Sequence, residues 1–98
     1  MSVEYDIASW RSQLPETLDR ILDYLLPHSS SPLADAFTVV NDYSPGRALS
    51  ALASLAHKFG TEVPEPMFRA AEKTVASSSL EQPWVLAHIR HYSDQHYH

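Results

Sequence analysis

From Leu14 onward the apolar residues recur at the spacing of one helix face. Leu14, Leu18, Ile21, Leu22 and Leu25 fall at i, i+4, i+7, i+8 and i+11. The polar positions between them are just as regular. At about 100° per residue, Glu16, Asp19 and Asp23 share a stripe about 60° wide, almost opposite the apolar one. The pattern predicts an amphipathic helix over residues 15–26 with one buried face and one acidic face.

The same periodicity continues to the end of the chain. Residues 32–41 bury some of Leu33, Ala36, Phe37 and Val40, and residues 66–77 offer Met67, Phe68, Ala71 and Val75 to the same core. Between them, residues 45–59 carry Ala48, Leu49, Leu52, Ala53, Leu55, Ala56 and Phe59 over a wide arc, the signature of a central helix touched on two sides. Ser50, Ser54, His57 and Lys58 fill the rest of that helix. Residues 83–92 present Val85, Leu86, Ile89 and Tyr92. The run "WVLAHI" also contains β-formers, but no other segment alternates to pair with it, so helix is the expectation. An earlier helix over residues 3–12 completes the set.

Proline and serine mark where these helices begin. Pro15, Pro32, Pro45, Pro66 and Pro83 each open an apolar-periodic stretch, where a missing N–H costs nothing. Ser31 and Ser44 stand at N-cap positions, and Ser79 with Gln82 has the spacing of a capping box. Gly60 supplies a left-handed stop for the central helix. The expected fold is all-α: a compact single-domain bundle of five to six short helices over residues 1–98, with residues 93–98 a frayed tail.

Composition narrows the chemistry. The chain has no cysteine, which removes disulfides, thiolate catalysis and cysteine-based zinc sites. Neither a secretion signal nor an apolar run of membrane-span length is visible, so the expectation is a cytoplasmic protein without membrane contact. Charge is uneven. Residues 1–42 hold seven acids and two bases, whereas residues 43–98 hold five of each. An acidic half repels nucleic-acid phosphates and attracts basic partners. The seven bases are scattered, with Arg69 and Lys73 the one local pair, so no nucleic-acid partner is expected.

Two glycines cannot build a phosphate-cradling or oxyanion loop, and no Gly-x-Ser-x-Gly elbow exists, so no enzyme activity and no cofactor are expected. His88 and His91, three apart with Asp94 beyond, have the spacing of a metal pair. A terminus that frays holds ligands poorly, and the expectation is no metal. What remains is a protein-binding surface: the stripe Glu16, Asp19 and Asp23, flanked by Tyr24, with Asp35, Asp42 and Tyr43 in the neighbouring turns.

The stretch "NDYSPGRALSALASLAHKFGTEVPEPMFRAAEKTV" resembles the small helical immunity proteins of bacterial polymorphic toxin systems, including the MafI-like group. Asp42, Gly46, Ala48, Leu49 and Leu52 match the acid-turn, small residue and Ala-Leu opening of an amphipathic helix. "GTEVPEPMFRAAEKT" matches the polar loop and the following helix by shape. The resemblance implies a bacterial antitoxin that binds one cognate toxin domain, commonly a basic nuclease, and inhibits it without catalysis. The other function class open to this sequence is a small helical adaptor or self-associating regulatory module, a homodimer joined through Trp10, Trp84 and Tyr92.

Overall fold

A computed structural model describes residues 9–41, 44–78 and 80–97. Its helices are α1 (Glu16–Leu25), α2 (Pro32–Val40), α3 (Pro45–Phe59), α4 (Glu65–Ala76) and α5 (Pro83–His96), with a 3-10 turn over Leu26–His28 after α1. Residues 9–11 are also helical, and no strand occurs among the described residues. The protein is therefore all-α. The radius of gyration of 12.8 Å matches what one domain of this length has.

α3 is the centre, packing against all four other helices, and α1 also packs against α4. The expected apolar faces explain this. Leu18, Ile21, Leu22 and Leu25 of α1 are fully buried, as are Leu49, Leu52 and Ala56 of α3 and Phe68 and Ala71 of α4. Small side chains at Ala48, Ala53 and Ala56 let α3 accept neighbours on two sides. Across the α1–α4 contact, the Thr17 and Thr74 hydroxyls hydrogen-bond at 2.7 Å, so neither is left dry and unpartnered.

The helix ends follow the sequence in part. Ser44 Oγ accepts from the Arg47 N–H at 3.2 Å, as an N-cap should. Gly60 takes φ 66°, and two bonds close the end of α3: Gly60 N–H to His57 O at 3.1 Å and Thr61 N–H to Ala56 O at 3.0 Å. Ser31 makes no side-chain cap bond. The capping box predicted at Ser79 is not what opens α5: Gln82 is its N-cap, and Ser79 lies outside the described residues.

Two expectations about burial need correction. Residues 93–97 are not frayed. α5 runs on to His96, Ser93 and Tyr97 are buried, and the Arg69 guanidinium donates to Ser93 Oγ at 2.6 Å. The physical cause is a latch on the loop between α3 and α4. Val63 N–H donates to Tyr92 Oη at 3.0 Å, and Tyr97 Oη–H donates to the Val63 carbonyl. Phe68 packs under both rings, at 4.9 Å from Tyr92 and 5.5 Å from Tyr97. Burial pushes the Tyr97 phenol above its ordinary pKa; its hydrogen bond with Tyr92 and the charge of Glu62 add to this, against Arg69.

On α2 the core-facing residues are Ala36 and Val39, while Leu33 and Phe37 stay exposed. Leu86 of α5 is likewise exposed.

Candidate functional site

α1 carries Glu16, Asp19 and Asp23 on its outer face as expected, but their charges are answered from within the chain. Arg11, just before the helix, places Nε 2.5 Å from Asp19 Oδ1, and its Nη2 donates to Asp23 Oδ1. Arg20 reaches Glu16 at 2.6 Å. Three carboxylates against two guanidinium groups leave a net charge of −1 on the stripe. Burial alone would lower the Arg11 pKa, but the hydrogen bonds and charges of Asp19 and Asp23 outweigh it and hold it above its ordinary value. The stripe is an ion-paired network with one uncompensated charge, rather than a row of free carboxylates.

The residue before Arg11 extends this surface. The Trp10 ring stacks on Phe37 of α2, with centroids 5.5 Å apart and planes 29° from parallel. Trp10, Leu33 and Phe37 are 40%, 41% and 39% exposed. A shallow open hollow lies beside them, lined by Ser31, Pro32, Leu33, Ala34, Phe37 and Thr38. Trp10, on Phe37, and its neighbour Arg11, on Asp19 and Asp23, thus link the exposed side of α2 to the acidic face of α1.

The remaining expected residues divide. Tyr24 is half-buried against the core, its ring centroid 6.0 Å from that of His28. Asp35 is not a surface acid. It is 7% exposed, accepts from the Ser29 hydroxyl and faces Lys58 Nζ at 3.5 Å, so it ties the 3-10 turn and α2 to α3. A buried carboxylate with two such partners is a structural anchor. Asp42 and Tyr43 lie outside the described residues. Tyr92 cannot belong to a dimer seam, because it is buried and holds Val63; Trp84 remains exposed.

Trp10 was expected on the surface only as part of a dimer seam, and Leu33 and Phe37 were among the core candidates of α2. The available signal was that they sit one turn apart on a stripe about 120° from the one through Val39. A short helix with two apolar stripes buries one and shows the other.

No group of three or more His, Asp or Glu side chains among the described residues is placed to hold a metal ion. No described helix is long and apolar enough to cross a membrane. Comparison with protein families, with curated proteins and with solved structures finds no match to this chain.

Proposed function

We propose that this protein is a non-catalytic binding module, an immunity protein that occupies and inhibits a cognate basic toxin domain. One observation carries the reading: a tryptophan and a phenylalanine, stacked and about 40% exposed, are joined through the neighbouring Arg11 to an ion-paired acidic face. Buried aromatics ringed by polar contacts supply most of the affinity in protein interfaces, while rim charges steer association and exclude wrong partners. The sequence resemblance to helical immunity proteins supplies the class of partner. In this account Trp10 and Phe37 are the anchors, with Leu33 beside them. Asp19, Asp23 and Glu16 exchange part of their pairing with Arg11 and Arg20 for lysine or arginine side chains of the toxin domain.

The test is co-expression of the chain with a toxin domain, sought in the reading frame next to its gene. Growth should be restored by the wild type and lost in Trp10→Ala/Phe37→Ala, with helix content unchanged by circular dichroism. Rescue by the double variant would move the binding surface elsewhere, and no rescue by the wild type would remove the immunity role.

A second reading rests on a separate side chain. Trp84 is 56% exposed at the start of α5, which favours self-association of a helical adaptor. Sedimentation separates the two readings: a dimer dissolved by Trp84→Ser supports the adaptor, and a monomer supports the inhibitor.

A further inference from the structure

Two consecutive residues ahead of α1 hold on to two different helices. Trp10 lies on Phe37 of α2, and Arg11 reaches along α1 to Asp19 and Asp23. The chain between them and α1 is short and closed. The Gln13 N–H donates to the Trp10 carbonyl at 2.9 Å, and the Leu14 N–H donates to the Arg11 carbonyl at 3.1 Å. In so tight a turn one of the two side chains has little freedom to move without the other. A shift that carried Trp10 off Phe37 would draw the guanidinium away from its carboxylates.

The two attachments are unequal. Trp10 and Phe37 both stay well exposed, so little apolar area holds the indole in place. Arg11 is held better. Its side chain is 25% exposed, and its fork serves two carboxylates that stand one turn apart on a helix. An isolated surface ion pair contributes little, because two flexible side chains must be ordered to make it. Here one guanidinium meets both acids, so the second bond orders less than the first. Arg20, by contrast, has Glu16 alone, and both are largely exposed.

We propose that Arg11 is a positioning residue: its bonds to Asp19 and Asp23 hold Trp10 stacked on Phe37 in the free protein, so that the aromatic anchor is formed before a partner arrives. That the anchor serves a partner rests on the toxin-binding reading; that Arg11 holds it does not. An anchor fixed in advance spares association the cost of ordering it. This role also carries a sign that the charge of Arg11 does not. Without Arg11, three carboxylates face one guanidinium and the stripe goes from −1 to −2. Steering alone would then strengthen association with a basic partner. Loss of the clasp weakens it.

The test begins on the free full chain carrying Trp84→Phe, which leaves Trp10 as the one tryptophan. Arg11→Gln should raise acrylamide quenching of Trp10 toward its value in urea. It should also remove the NMR cross-relaxation between the Trp10 and Phe37 rings, with helix content by circular dichroism unchanged. Asp19→Ala/Asp23→Ala should loosen Trp10 in the same way with Arg11 in place. Arg20→Gln, an equal loss of charge from the same stripe, should leave Trp10 as in the wild type. If either of the first two changes leaves Trp10 unmoved, or Arg20→Gln moves it as much, the clasp is overturned. With a toxin domain that the wild type neutralises, Arg11→Gln should then bind more weakly. Equal or tighter binding with Trp10 loosened would overturn the positioning role. A wild type that neutralises no toxin domain fails the immunity reading, and the quenching result still decides the clasp.

Discussion

Two sides of α3 meet aromatic side chains in opposite ways. On the α4–α5 side, Phe68, Tyr92 and Tyr97 are buried together, and both phenols bond the backbone of Val63. On the α2 side, Trp10 and Phe37 stack on each other and remain about 40% exposed. Both groups are hydrophobic, so hydrophobicity alone does not separate them. The difference is whether a polar tip has a backbone partner inside and whether a second element lies over the ring. The inner cluster holds the domain together. The outer pair adds little to the fold and is free to meet another molecule.

The comparison is easiest to break at its inner member. Phe68→Ala removes a fully buried ring beneath two tyrosines and should cost about 3–5 kcal/mol in urea denaturation. Tyr92→Phe keeps the ring but strands the buried Val63 N–H, for about 1–3 kcal/mol, with increased amide exchange at residues 61–64 and 93–97. Gly60→Ala forces a β-carbon onto φ 66° with nothing crowding it, so the cost is conformational, about 1 kcal/mol. Phe37→Ala should be the mildest of these, below about 1 kcal/mol, because the ring is half outside already. A loss from Phe37→Ala as large as that from Phe68→Ala would erase the distinction between the two sides.

Much of the fold was legible because periodicity and punctuation agreed. The α1 face, the span of α3 and the Gly60 stop follow from spacing, Ser44-Pro45 and a single left-handed glycine. What was not legible depended on contacts distant in sequence. Nothing local says that Arg11 will reach Asp19 and Asp23, so the acidic stripe read as free charge. Asp35 read as a surface acid because its partners Ser29 and Lys58 come from other elements. The tail read as frayed because Val63, which holds Tyr92 and Tyr97, lies about 30 residues earlier. α2 was ambiguous for a different reason: with two apolar stripes, its rotation against α3 is set by the neighbour and not by its own pattern.

The central claim is that the outer aromatic pair serves binding and not stability. The most direct test measures both quantities on Trp10→Ala/Phe37→Ala: the urea midpoint of the free protein, and its affinity, by calorimetry, for a toxin domain that the wild type is found to neutralise. The account predicts a midpoint close to wild type with affinity reduced at least about tenfold, the scale of an interface anchor. Unchanged affinity, or a collapse of the fold in the free protein, would contradict it.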